Sequence, residues 1–84
     1  MKRKYFVILN SIIVAKESSL ADAVILANSI RLSFKSGLDT EAINYQTAYT
    51  NIKKVGYYFK QVPVKYIEDM PEAFMYLTIQ EIDI

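Results

Sequence analysis

The residues best suited to chemistry in this sequence form a basic and aromatic run, Lys53-Lys-Val-Gly-Tyr-Tyr-Phe-Lys60, continued by Lys65 and Tyr66. Lysines pair with phosphates and aromatic faces stack on bases, so these residue types suit RNA or single-stranded DNA. On a strand, side chains alternate between faces. Alternation puts Tyr58, Lys60 and Tyr66 on one face and Tyr57 and Phe59 on the other. The charged set is expected to be wet, so the candidate nucleic-acid surface is Lys53, Lys54, Tyr58, Lys60, Lys65 and Tyr66, with Tyr57 and Phe59 turned inward. The competing reading is plainer: tyrosines at strand spacing serve cores and interfaces more often than they serve as base platforms.

Catalytic groups are scarce. The chain has no His and no Cys, which removes imidazole acid-base chemistry, thiolate nucleophiles, zinc-thiolate sites and disulfides together. A serine nucleophile would need a buried lysine as its base. The serines at 18, 19, 29, 33 and 36 read instead as caps or helix-surface residues. Glu81 and Asp83 stand two apart and project from one side of a strand, a spacing that suits Mg²⁺ or an acid-base pair, but nothing else converges on them. Solvated charges at a strand end are the commoner case. No Gly-rich loop precedes a helix. The chain is therefore read as not an enzyme, with no metal site and no cofactor.

Charge is uneven along the chain. Residues 1–60 hold nine Lys or Arg against four acids, and residues 61–84 hold Lys65 against five acids. Such an asymmetry steers a polyanion to one face or pairs the two ends with each other, and pairing is the commoner outcome. Ile, Lys, Tyr and Asn supply 30 of the 84 residues. In size and bias the chain is similar to small accessory proteins of AT-rich phages or plasmids, a resemblance of composition that rests on no motif.

These groups have to be held by one small domain, residues 1–84. A chain of this length builds one core, and 52% hydrophobic residues with two Gly and two Pro favour a folded globule over a disordered segment. No apolar run approaches membrane-spanning length, and the absence of Cys suits a cytoplasmic location. The N-terminal Tyr5-Phe-Val-Ile-Leu-Asn-Ser-Ile-Ile-Val-Ala15 reads as a β-hairpin turning at Asn10-Ser11. A two-residue turn sets Leu9 opposite Ile12, Val7 opposite Val14 and Tyr5 opposite Lys16 on one face. On the other face Ile8 meets Ile13, Phe6 meets Ala15 and Lys4 meets Glu17. Both faces are apolar near the turn, so each needs cover.

Ser18 and Ser19 offer an N-cap with Asp22 completing a short capping box, and Leu20, Ala23, Val24, Ala27, Ile30 and Phe34 follow at helical spacing. Ile25, Leu26 and Leu32 widen the apolar stripe, which predicts burial on more than one side. Gly37 is a natural stop. Asp39 or Thr40 is expected to cap a second helix running to Val55 and ended by Gly56, although residues 40–55 also alternate as a strand would. Tyr57–Ile67 reads as an edge strand because it contains Pro63. Residues 68–72 read as a turn, and a last strand begins at Met75 with Met75, Leu77 and Ile79 inward. The expected fold is α+β, order β-β-α-α-β-β, an antiparallel sheet whose N-terminal hairpin packs against helices.

This inventory has too few elements to cover both hairpin faces and the whole first helix. The surplus apolar surface predicts a homo-oligomer, most simply a dimer, through Tyr5, Val7, Leu9, Ile12, Val14, Ile25 and Leu32. The leading functional expectation is a small non-catalytic protein acting through protein-protein contacts, for example a phage- or plasmid-type inhibitor of a host enzyme or toxin. RNA or single-stranded DNA binding is the second expectation, and a purely structural oligomeric domain the third.

Overall fold

A computed structural model describes residues 3–33, 41–67 and 70–83, with the backbone alone at 64–67 and 70–73. The order is β1 (Arg3–Leu9), β2 (Ile12–Glu17), α1 (Leu20–Ser33), α2 (Tyr45–Val55), β3 (Tyr57–Ile67) and β4 (Met70–Asp83). The strands form one antiparallel sheet in the order β2-β1-β4-β3, so the fold is α+β as expected. Both helices lie on the same face. The core is Val7, Leu77 and Ile79 from the two central strands, Val62 and Met75 from the second hairpin, and Leu20, Ala23, Val24, Ala27, Ile43, Ala48 and Ile52 from the helical layer.

The Asn10-Ser11 turn forms with φ of 49° and 72°, positive at both central residues as a tight hairpin turn of this twist requires. Asparagine tolerates that region, and here its side chain is also used: Tyr76 N–H donates to Asn10 Oδ1 at 2.9 Å, and Asn10 N–H donates to the Tyr76 carbonyl at 2.9 Å. The turn is thus tied to β4 as an extra rung. Leu9 pairs with Ile12 and Ile8 with Ile13 as the sequence predicts, but Val7 then pairs with Ala15, Phe6 with Lys16 and Tyr5 with Glu17. A β-bulge at Val14 shifts the expected register by one residue. It moves Ala15 onto the buried face and Lys16 onto the other, and it twists the edge strand β2.

Helix α1 starts where the serines place it, with Asp22 N–H donating to Ser19 Oγ at 3.1 Å. Leu20, Ala23, Val24 and Ala27 are buried as predicted. Ile25 is 63% and Leu32 54% exposed, so within the chain α1 is covered only where it meets the sheet and α2. One sheet and one neighbouring helix occupy only part of its circumference. Residues 45–55 settle as helix rather than strand, but the cap is Asn44, whose Oδ1 accepts from Thr47 N–H at 3.1 Å. The late start has a visible cause. Asn28 of α1 clamps Ile43, accepting from its N–H at 2.8 Å and donating to its carbonyl at 3.1 Å, which holds that peptide out of the helix. The expected caps Asp39 and Thr40, and the stop at Gly37, lie outside the described residues. Gly56 ends α2 at φ 91°, its N–H donating to the Ile52 carbonyl at 2.8 Å.

Strand β3 is an edge, as Pro63 implied. The turn expected across 68–72 is shorter than read, since β4 begins at Met70 and passes through Pro71. A proline is compatible with β4 there because β1 reaches only Leu77, with Asn10 adding Tyr76, so among the described residues 70–75 pair with β3 alone. Met75, Leu77 and Ile79 face the core as predicted.

Two of these contacts make measurable predictions. Asn28→Ala leaves the Ile43 peptide without its two side-chain partners and is expected to destabilise the fold by about 2 kcal/mol in urea denaturation. Ser11→Gly removes an L side chain from positive φ and is expected to raise stability by about 0.5–1 kcal/mol, whereas Asn10→Ala lowers it by about 1–2 kcal/mol.

Candidate functional site

Both helices lie on one side of the four-stranded sheet, and among the described residues nothing covers the other side. Strand registers define its rows. Ile13, Ile8, Thr78 and Phe59 lie abreast across β2, β1, β4 and β3, and Lys16, Phe6, Gln80 and Tyr57 form the next row. Beyond them stand Tyr76 with Gln61 and Phe74 with Pro63. Five aromatic rings therefore share one open face. Tyr57 and Phe59 are each 49% exposed, and Ile13, Tyr76 and Phe74 are exposed as well. The Phe59 and Tyr76 rings stack at 5.8 Å and 17°, a diagonal pair across β3 and β4. Ile8, Ile13, Phe59, Phe74, Tyr76 and Thr78, with the Asn10-Ser11 turn, line a shallow groove of about 880 Å³. Strand parity also places Lys4 and Lys16 on this face, and among the described side chains it carries no carboxylate.

The structure corrects the expected nucleic-acid surface. Tyr58 and Lys60 do share a side of β3, but it is the helix side: Tyr58 pairs with Ile79, packs against the core and is half-buried, while Tyr57 and Phe59 face outward. The error has a physical source. The sets Tyr57, Phe59, Gln61 and Tyr58, Lys60, Val62 are about equally apolar, and a lysine on an edge strand lies along apolar surface on its stem and keeps its ammonium in water. Lys60 therefore does not mark the wet face. Lys53 and Lys54 sit in the last turn of α2, in the helical layer, with Lys53 Nζ 5.5 Å from the centre of the Tyr49 ring. The basic-aromatic run is split between two layers. The side chains of Lys65 and Tyr66 lie outside the described residues.

The expected oligomer surface is likewise divided. Val7 has no exposure and is closed to a partner, while Tyr5 and Leu9 are partly buried against the core beneath the helices. Ile12, Val14, Ile25 and Leu32 are exposed. The hairpin's apolar pairs give both faces similar weight, and the set chosen from sequence includes the residues that turn toward the helices. Phe6, Ile8 and Ile13 on the open face were the missed residues. Their signal was present in the same alternation, one residue out of phase.

A second, smaller concavity of about 350 Å³ lies where β1, the start of α1, α2 and the end of β4 meet. Its polar groups are engaged with one another. Tyr5 Oη donates to Glu81 Oε2 at 3.1 Å, and Arg3 reaches Glu81 at 3.7 Å and Asp83 at 3.6 Å. The two chain ends thus pair with each other, as the charge asymmetry suggested. Lys4 Nζ donates to Ser18 Oγ at 2.8 Å, but this pair is on the surface, where neither group has the desolvation that activates a serine-lysine couple. Among the described residues no three His, Cys, Asp or Glu gather as a metal site, and no helix is long and apolar enough to cross a membrane.

Burial, followed by the hydrogen bond to Glu81 and its charge, raises the Tyr5 pKa above 10.0, and burial followed by the Glu41 charge raises that of Tyr58. The folded state then keeps protons that the unfolded chain releases near pH 10.0. The stabilising contribution of both phenols is complete below that pH and is lost as pH rises through their folded values. Absorbance titration at alkaline pH is expected to show late-ionising phenols that Tyr5→Phe and Tyr58→Phe remove, with stability falling once pH exceeds 10.0.

No known protein family, curated protein or solved structure matches this chain.

Proposed function

We propose that this chain is a non-catalytic binding protein that works by protein-protein contact through the open face of its sheet. The observation that carries this reading is the composition of the face: Ile8 and Ile13 continue into Phe59, Tyr76 and Phe74 across adjoining strands, an aliphatic and aromatic patch with polar Thr78, Gln61 and Gln80 among it. Contiguous apolar surface on a folded domain marks interaction sites, and aromatic residues are the anchors that carry most interface energy. Lys4 and Lys16 at one end favour an apolar counterpart edged with carboxylates. Occupancy alone is enough for activity of this kind, as when an inhibitor masks the working surface of an enzyme or toxin.

A second reading rests on the same face. Exposed aromatics on a four-stranded antiparallel sheet, with lysines and no described carboxylate, are also the elements of a single-strand platform. The aliphatic centre and the self-stacked Phe59-Tyr76 pair favour protein.

Affinity capture from an extract of the source cells separates the two. Phe59→Ala and Tyr76→Ala are each expected to reduce the bound protein at least tenfold, while Ile25→Ala on the outer side of α1 leaves it unchanged. Capture that nuclease treatment abolishes would support the nucleic-acid reading. Capture that survives both open-face substitutions would remove the sheet face as the contact surface.

A further inference from the structure

We infer that the open sheet face receives an amphipathic helix of a partner protein, its apolar stripe seated in the groove and its carboxylates set over Lys4 and Lys16; this rests on the protein-contact reading and names the partner's form and charge. Charge is the first observation. Lys16 pairs with Phe6, so Lys4 lies two residues further along β1, diagonal to Lys16 on the same face. Neither lysine forms an ion pair with a described residue, and Lys4 Nζ meets the neutral Ser18 hydroxyl at 2.8 Å. Glu81 and Asp83, at the same end of the sheet, stand on the helix side with Arg3. The helix side thus makes its ion pairs within the chain, while two neighbouring cations at the rim of the open patch call for carboxylates from a partner.

The groove has the form of a helix seat. In the row Ile13, Ile8, Thr78, Phe59 the smallest side chain is Thr78, and the Tyr76 ring is stacked on Phe59 at 5.8 Å. An aliphatic wall of Ile8 and Ile13 therefore faces an aromatic wall of Phe59 and Tyr76 across a low floor. Four residues separate the Phe74 and Thr78 levels, about 14 Å of strand or about two and a half helical turns. Lys16 is level with Gln80 and Lys4 with Ile82, about 7 and 14 Å beyond Thr78, so carboxylates one to three turns past the apolar anchors reach them. Backbone chemistry favours the same occupant. The N–H and C=O groups of a sheet point toward neighbouring strands, so its face offers an incoming segment no backbone partners, and a helix satisfies its own peptides. A single nucleic-acid strand fits less well, because the Phe59 and Tyr76 rings lie on the β4-β3 half of the sheet and both lysines on the β2-β1 half, which separates stacking from charge.

Peptide selection tests this. Displayed libraries of about 20 residues carry a fixed leucine stripe at helical spacing in one half and Glu, Lys or Gln at positions of the other half, with the halves in either order. Selection on the immobilised protein is expected to enrich Glu over Lys at least about tenfold at positions one to three turns past the stripe, and selection on the Lys4→Glu/Lys16→Glu protein to enrich Lys instead. A selected peptide is expected to gain helical circular dichroism on binding. Phe59→Ala should raise its dissociation constant at least about tenfold, Lys4→Gln/Lys16→Gln should raise it about fivefold and flatten its salt dependence, and Ile25→Ala should leave it unchanged, each variant keeping the far-ultraviolet spectrum of the parent. Peptides that need Phe59 but show no Glu enrichment, or that bind without becoming helical, overturn the inference and leave the contact reading standing. An empty selection overturns it as well; if capture from the cell extract is also indifferent to Phe59, the contact reading falls with it. Displacement of the peptide by a tighter-binding single-stranded oligonucleotide overturns it in favour of nucleic acid.

Discussion

The antiparallel pairing of β1 with β4 is the interaction on which the rest of the molecule depends. It runs from Arg3 opposite Asp83 to Leu9 opposite Leu77 and joins two hairpins, one from each end of the chain, into a single sheet. Neither hairpin is self-sufficient, because a two-stranded ribbon is marginal in water. Joined, they place Val7, Leu77 and Ile79 at the centre of one face, where α1 and α2 close over them. The same pairing brings Arg3 to Glu81 and Asp83 at the surface and aligns Tyr5 with Glu81, so part of the charge asymmetry between the chain's ends is met within the fold.

From that pairing follows the asymmetry of the two sheet faces. Fourteen residues of α1 and eleven of α2 form one layer, and one layer covers one face. Sequence composition does not compensate. Among polar Lys4, Lys16, Gln61, Thr78 and Gln80, the outward residues of these strands include Phe6, Ile8, Ile13, Tyr57, Phe59, Phe74 and Tyr76, more apolar side chains than a wet sheet face ordinarily carries. Among the described residues this face carries no covering layer, and the proposed function rests on that surface rather than on a cluster of reactive groups.

Three asparagines act as the joints of the structure, and each does so through its side-chain amide. Asn10 accepts positive φ and bonds to β4, Asn28 holds the Ile43 peptide beside α1, and Asn44 caps α2. None of these roles uses burial of apolar area. They determine where elements stop, which decides the residues that reach each face.

Local chemistry was legible in the residues themselves. The Asn10-Ser11 turn, the Ser19 cap, the Gly56 stop, the alternation of Met75, Leu77 and Ile79 and the edge character of β3 all arise from interactions within a few positions, or from what proline cannot donate. Sequence also determined that every strand here has two sets of side chains and, except beyond the bulge in β2, which residues belong to each. It did not determine which set is inside. At Tyr57–Val62 both sets are equally apolar, and along β1 both are, so the choice depended on where a helix from elsewhere in the chain came to rest. The bulge at Val14 and the clamp from Asn28 to Ile43 belong to the same class, since each answers to a partner at least several residues away. Period-two alternation is a property of the backbone and is written in the chain; the side that meets solvent is a property of the packing, and only the tertiary structure decides it.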